Sequence, residues 1–144
     1  MIKTKKPELR KQILVDRRKK LMIVKKNAVI DRKIRFNGKI LVGMDACLWG
    51  DVECEEINTS KGVFIKGKVS CKKAVLGANT EFKWLKAEEA IIQNGCRGEH
   101  LEVEKAIIRK NVSIGNLEAE TAYLDGISTL GKVNAKKVIA SKSE

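Results

Sequence analysis

The chain has 144 residues and a mass of 16.1 kDa, with 43% hydrophobic and 33% charged residues, which fits one globular domain and excludes a disordered chain. Thirty Lys and Arg against 18 Asp and Glu give a net charge of +12, and eleven of the basic residues fall within residues 1–27. No run approaches the roughly 20 apolar residues of a membrane helix, and no apolar segment typical of a secretory signal follows the basic N-terminus. We therefore expect a cytoplasmic protein whose four cysteines are reduced thiols.

A basic segment, residues 1–20, precedes the regular part of the sequence, which we assign to residues 21–140, with 141–144 as a short C-terminal tail. Its basic side chains are Lys3, Lys5, Lys6, Arg10, Lys11, Arg17, Arg18, Lys19 and Lys20. Such a segment is typical of a solvated tail, of a contact with anionic lipid, or of a contact with nucleic-acid phosphates. The sequence leaves these three interpretations open.

Short apolar pairs begin before residue 47. Ile34/Phe36 and Ile40/Val42 have the i, i+2 spacing of side chains on one face of a strand, and they predict two sides of an early coil.

From residue 47 onward the sequence repeats about every 16 residues. Apolar anchors recur with spacings of 17, 16, 16, 16 and 16 residues at Val52, Val69, Leu85, Leu101, Leu117 and Val133. Each repeat contains three apolar pairs with i, i+2 spacing, separated by polar or glycine corners. Because such a pair lies on one face of a strand, each repeat predicts three short strands that face one interior. Stacked repeats of this kind form a three-sided parallel β-helix.

The distribution of charge supports this interpretation. Of the 36 positions assigned to the interior, 32 are apolar and none is charged, although a third of the chain is charged. The exceptions are Thr59, Thr80, Gly98 and Ser128. The sequence thus predicts an all-β, right-handed, three-sided parallel β-helix of about 16 residues per coil. The right-handed sense follows the general preference of parallel crossovers, since the six-residue repeat of left-handed β-helices is missing.

Two details of the register follow from the same alignment. The single 17-residue spacing predicts one extra residue near Lys66, as in a β-bulge. The first interior pair of the first repeat is assigned to Cys47 and Trp49.

The corners carry a resemblance to a known family. Gly-x-Val-x-small corners occur at Gly50–Cys54, Gly67–Cys71 and Gly131–Ala135, and with them the chain resembles the bactofilins over about residues 28–140. The resemblance implies a non-enzymatic cytoskeletal protein whose right-handed β-helix assembles end to end into nucleotide-free filaments, with tails that contact membrane or partners. The chain departs from the pattern in its slightly short repeat, in its unusually basic tail, and in two corners that lack glycine, at Lys83 and Glu99.

The last coil is the predicted assembly surface. A terminal coil presents unpaired strand edges and an open apolar core, which must be capped or paired. Its interior residues are Leu130, Val133, Ala135 and Val138. The expected partner is therefore a second copy of the chain, in a homopolymer.

Candidate chemical sites are sparse. Cys54 and Cys71 share a column on adjacent coils, whereas Cys47 and Cys96 lie three coils apart, so the four thiolates cannot converge on one zinc ion. The only histidine, His100, is expected to face outward with no acid or nucleophile beside it. We therefore expect no enzymatic activity, no metal, no cofactor and no small-molecule substrate.

Aromatic residues offer a second kind of interface. Phe64 and Trp84 are expected to face outward and are candidates for an exposed interface, whereas Trp49 and Phe82 are assigned to the core. The alternative function is a basic β-helical module that contacts RNA, DNA or a ribonucleoprotein such as the ribosome through its N-terminal tail.

Overall fold

The computed structural model describes residues 12–141, and every regular element in that range is a β-strand. In chain order the strands are β1 (Ile13–Asp16), β2 (Leu21–Val24), β3 (Val29–Ile30), β4 (Ile34–Val42), β5 (Cys47–Leu48), β6 (Val52–Thr59), β7 (Phe64–Ser70), β8 (Lys73–Leu76), β9 (Glu81–Ile92), β10 (Arg97–Ile108), β11 (Ser113–Asp125) and β12 (Thr129–Ser141). Within the described range, no helix has the length and apolar character needed to span a bilayer.

Parallel pairing stacks these strands coil upon coil. Each long strand pairs in parallel with its counterpart in the next coil, in the order β2, β4, β6, β7, β9, β10, β11 and β12, and the result is a β-solenoid of about eight turns. In the C-terminal half the partners are 16 residues apart, as in Leu85 with Leu101 and Leu101 with Leu117. The predicted fold of stacked 16-residue coils is confirmed, and the right-handed sense stays a prediction.

The interior is a continuous apolar column, as the repeat predicts. The anchors from Val52 to Leu117 are at most 1% exposed. Burial of these side chains on every coil is the main force that holds the solenoid together. Because each coil contacts only its neighbours, the two terminal coils are the places where this column is open.

One interior pair differs from the prediction. Ala46 and Leu48 are the inward residues at the start of the first repeat, at 0% and 1% exposure, whereas Trp49 is 49% exposed. The assignment of Cys47 and Trp49 to the interior is therefore wrong. Its cause is that this coil has 17 residues, so counting back 16 from Val63 slips the register by one residue and moves every side chain to the opposite face.

Coil length shortens along the chain. Paired residues on neighbouring coils are 18 apart in the first coils, 17 apart in the next and 16 apart from β9 onward. Each reduction occurs at a register shift, one between Phe36 and Lys39 and the other between Ile65 and Lys68. The second shift confirms the extra residue predicted near Lys66.

One corner of each coil requires a left-handed backbone. Six corner residues, one per coil, have φ between 57° and 78°: Asn27, Asp45, Gly62, Asn79, Gly95 and Asn111. Glycine adopts this conformation without strain, and Asn and Asp tolerate it better than other residues. Backbone hydrogen bonds continue through these corners, as where the Gly62 N–H donates to the Ala78 carbonyl at 2.9 Å.

The polar exceptions in the interior have hydrogen-bond partners. The Thr59 and Thr80 hydroxyls lie 3.2 Å apart, and the Gly77 N–H donates to Thr59 Oγ1 at 2.9 Å. The Ser128 hydroxyl donates to the Arg109 carbonyl at 2.7 Å. These bonds offset the free-energy cost of burying a hydroxyl.

Candidate functional site

The last coil ends in an unpaired strand edge. β12 is 13 residues long and pairs in parallel with β11 along nearly its whole length, from Thr129 with Ser113 to Ser141 with Asp125. Its opposite edge has no strand partner among residues 12–141. Alternate backbone N–H and C=O groups of this strand therefore point away from the solenoid, along its axis.

The interior side chains of the last coil are open to solvent. Val133 and Val138 are 42% and 49% exposed, whereas Leu117 and Ala122, which occupy the same columns one coil earlier, are 1% and 0% exposed. Leu130 and Ala135 are only partly buried, and Leu130 packs against the core. All four predicted assembly residues thus lie on the C-terminal end face, and their role in assembly stays a prediction.

Further apolar side chains lie beside this end. Ile127 is 84% exposed, and Ile139 and Tyr123 are each 36% exposed. Ile139 and Tyr123 line a shallow groove of about 520 Å³ on the flank of β11 and β12. The apolar surface therefore continues from the end face onto the side of the last two coils.

The N-terminal end is constructed differently. β1 runs antiparallel to β2 as a hairpin, with Ile13 opposite Val24 and Asp16 opposite Leu21. Ile13 packs against the core, and the side chain of Gln12 accepts a hydrogen bond from the Val29 N–H at 2.7 Å. The hairpin covers the edge of the first coil, so only the C-terminal coil presents a long free strand.

The basic segment is in part folded. Arg17, Arg18, Lys19 and Lys20 form the exposed turn between β1 and β2, so they lie at the N-terminal end of the solenoid. The described part of the predicted tail is therefore folded onto the first coil. The other predicted contact residues, Lys3, Lys5, Lys6, Arg10 and Lys11, lie outside the described residues.

The aromatic residues are on the outside, except one. Phe82 is 2% exposed in the core, Trp84 is 39% exposed, and Phe64 is partly buried between two inward neighbours. Lysine ammonium groups lie over both tryptophan rings, Lys66 at 4.7 Å from the centroid of Trp49 and Lys68 at 4.8 Å from that of Trp84. Phe64 and Trp84 lie on the coil flanks, far in sequence from the last coil.

The cysteines are free thiols. Cys54 and Cys71 follow the paired residues Glu53 and Ser70 on adjacent strands, and both are partly buried. A hydrogen bond between the two thiols, together with burial, raises the pKa of Cys71, and burial raises the pKa of Cys96. A raised pKa keeps both groups protonated, which is the behaviour of small core residues rather than of reactive thiolates.

A cluster that the sequence analysis missed surrounds the only histidine. Potential ligand atoms of His100, Glu102 and Glu118 all lie within 4.8 Å of one another. Glu102 is two residues after His100 on β10 and is paired with Glu118 on β11, so all three side chains share one outer face. The signal that would have found the cluster is the i, i+2 and i+18 spacing once the 16-residue register is known.

Comparisons with known proteins add no family. No family model, no curated protein and no solved structure matches the chain. The resemblance to bactofilins therefore rests on the pattern of the coils.

Proposed function

We propose that the protein is a structural scaffold that assembles by binding a second copy of its own chain through the C-terminal coil. The observation that carries this proposal is the contrast between the capped N-terminal end and the open 13-residue edge of β12 with its half-exposed valines, Val133 and Val138. In this proposal the protein is non-enzymatic and cytoplasmic, and the bactofilin-like coil pattern favours assembly into filaments.

The physical basis of the proposal is the cost of leaving this end open. Each buried apolar square ångström contributes about 25 cal/mol, and the last coil leaves apolar area exposed that every earlier coil buries. A free strand of this length also offers a row of backbone donors and acceptors to another strand. A second copy supplies both an apolar surface and a matching edge, so one contact covers both.

A charge at Val138 tests the proposal. Val138→Asp places a carboxylate that water solvates in the monomer but that would be buried between two copies. We expect wild-type protein to form oligomers in sedimentation velocity and in negative-stain images, and the variant to sediment as a monomer with an unchanged circular dichroism spectrum.

Two controls frame this experiment. Lys137→Asp changes the charge of the outward neighbour on the same strand and should leave assembly intact. Ala106→Asp puts the same charge into the same column in mid-solenoid, where Ala106 is 0% exposed, and should unfold the chain. Oligomers of Val138→Asp that match those of wild type would reject the C-terminal coil as the assembly surface.

A second candidate function is binding to nucleic acid through the N-terminal end. It is favoured by the position of Arg17, Arg18, Lys19 and Lys20 in one exposed hairpin turn, with Lys25 and Lys26 also exposed after β2. Clustered cations on one end of a rigid molecule bind phosphates, and such binding weakens steeply with salt because counterions are released.

Charge reversal distinguishes the second function from the first. Arg17→Glu/Arg18→Glu should weaken binding to an RNA oligonucleotide and reduce its salt dependence, while oligomers of the variant form as in wild type. Equal RNA affinity of wild type and variant in low salt would reject the hairpin as a nucleic-acid site. Retention of the same variant on anionic vesicles, compared with wild type, tests the lipid alternative separately.

A further inference from the structure

We propose that His100, Glu102 and Glu118 form a binding site for a divalent transition-metal ion of the Zn²⁺ class, which bridges two successive coils. The proposal is independent of the assembly function, because the site lies on the outer face of β10 and β11 and not on the end coil.

The spacing of the three side chains suits a metal ion. A point equidistant from three atoms 4.8 Å apart lies about 2.8 Å from each, whereas Zn–N and Zn–O bonds are about 2.0–2.2 Å long. Rotation of the two glutamate side chains is enough to close this difference, since Glu118 is exposed and the Glu102 side chain is 36% exposed. The strands themselves need not move.

The histidine supplies the second observation. His100 Nε2 is buried from solvent and has no hydrogen-bond partner among the described residues, although its side chain as a whole is 19% exposed. Its nearest charged atom is Glu102 Oε1, 4.0 Å away, which is too far for a hydrogen bond. A buried nitrogen that faces a carboxylate without bonding to it is a position where a cation satisfies both groups.

The neighbouring groups define the rest of the site. On one side the Trp84 ring stacks against the imidazole, with 4.2 Å between the ring centroids, and this contact fixes the ring orientation. On the other side the Lys86 ammonium lies 3.6 Å from Glu102 Oε2 and competes with a metal ion for that carboxylate. Glu118 has no ion pair among the described residues, so its charge is available to the cation.

The ligand types select the class of metal. One imidazole nitrogen and two carboxylate oxygens suit Zn²⁺, Co²⁺ and related ions, whereas Mg²⁺ and Ca²⁺ prefer oxygen ligands alone. Three protein ligands leave a coordination position for water. Because the ligands come from two strands, a bound ion links adjacent coils, and it should stabilise the solenoid by binding the folded chain only.

Cobalt is the probe that tests this site. The chain has two tryptophans, so in a Trp49→Phe background Trp84 is the only fluorophore of this kind and lies against the proposed ligand. We expect Co²⁺, added to full-length protein freed of metal by a chelator, to quench Trp84 saturably with one ion per chain. Zn²⁺ should compete with Co²⁺ and raise the melting temperature.

Matched variants in this background make the test specific. His100→Gln and Glu118→Gln should each weaken Co²⁺ binding by at least about tenfold, while circular dichroism remains unchanged. Glu104→Gln, which removes another exposed carboxylate of β10, should bind Co²⁺ as the background protein does.

Three results would overturn the proposal. The first is the absence of saturable quenching in the Trp49→Phe protein, and the second is equal Co²⁺ affinity in Glu118→Gln and Glu104→Gln. The third is an intense thiolate-to-cobalt charge-transfer band, which would place the ion on the cysteines.

Discussion

The left-handed corner is the position in each coil where the choice of residue is narrowest. At Gly95 the backbone has φ of 78°, and an added Cβ would collide with the side-chain oxygen of Asn79 one coil earlier. The same relation holds between Gly62 and Asp45. Side chains that tolerate the conformation thus lie over glycines in the next coil, and this alternation explains why the corner contains only Gly, Asn and Asp.

Substitution of Asn111 tests the requirement for this conformation. Asn111→Val forces a β-branched side chain into a backbone with φ of 60°, and the free energy of unfolding should fall by about 1–2 kcal/mol. Asn111→Gly should change it by less than about 0.5 kcal/mol. Urea denaturation followed by circular dichroism measures both.

The control is Asn116→Val, which places the same side chain at an exposed strand position of β11. There valine fits the extended backbone and should be neutral or stabilising. Equal destabilisation by Asn111→Val and Asn116→Val would mean that the corner conformation does not limit stability.

At the residue scale the sequence predicted the interior wherever coils have a constant length. It could not place Cys47 and Trp49, because a 17-residue coil differs from a 16-residue coil by one residue, and a one-residue slip exchanges the two faces. Gly98 was the one interior exception without a side chain, and its explanation is three-dimensional. The Phe82 ring of the preceding coil occupies the space that a Cβ of Gly98 would need.

Neighbouring coils are also matched by charge along their outer faces. Lys83 and Glu99, the two corners without glycine, form an ion pair at 2.6 Å, and Arg109 pairs with Asp125 at 2.7 Å. Both pairs join residues 16 positions apart, so they form only in the observed register. Each exposed pair contributes little to stability, but opposite charges across strands disfavour slipped pairings.

The N-terminal hairpin is the element that the sequence did not reveal. β1 has four residues and pairs antiparallel, so it lacks the coil repeat on which the prediction was based. Its turn contains no glycine, and Lys20 adopts the positive φ of 50° in its place. A run of basic residues therefore indicated a tail where the structure has a cap.

Substitution within the cap tests its packing. Ile13→Asp buries a carboxylate against the first coil and should lower the free energy of unfolding by about 1–3 kcal/mol. Leu14→Asp, at a position that is 49% exposed, should change it by less than about 0.5 kcal/mol. Thermal unfolding and hydrogen exchange of Leu21–Val24 measure the difference. If the two variants unfold alike, β1 does not cap the core.

At the scale of the whole molecule the two ends are unequal. The N-terminal end is covered by a short antiparallel strand and has a cluster of exposed cations, whereas the C-terminal end is a long, uncovered strand with apolar side chains. A repeat architecture with one open end grows by addition at that end, because each coil is stabilised by its neighbours. The pattern of the sequence predicted this open end correctly, since too few residues follow the last repeat to cover it.

What the pattern could not predict is chemistry that depends on pairing between coils. His100 and Glu118 are 18 residues apart and belong to different strands, and neither has a recognisable motif around it. They come together only because Glu102 and Glu118 are paired. The identity of a partner is likewise independent of the interior repeat, which specifies burial and leaves the outer face free to vary.

Hydrogen exchange of wild-type protein at rising concentration tests most directly whether copies meet at the last coil. If they do, amides in Thr129–Ser141 become more protected as concentration increases, because the free edge of β12 gains strand partners, while Ile13–Val24 is unchanged. Val138→Asp should abolish the gain. Exchange in Thr129–Ser141 that is the same at every concentration, or a gain confined to Ile13–Val24, would contradict assembly through the C-terminal coil.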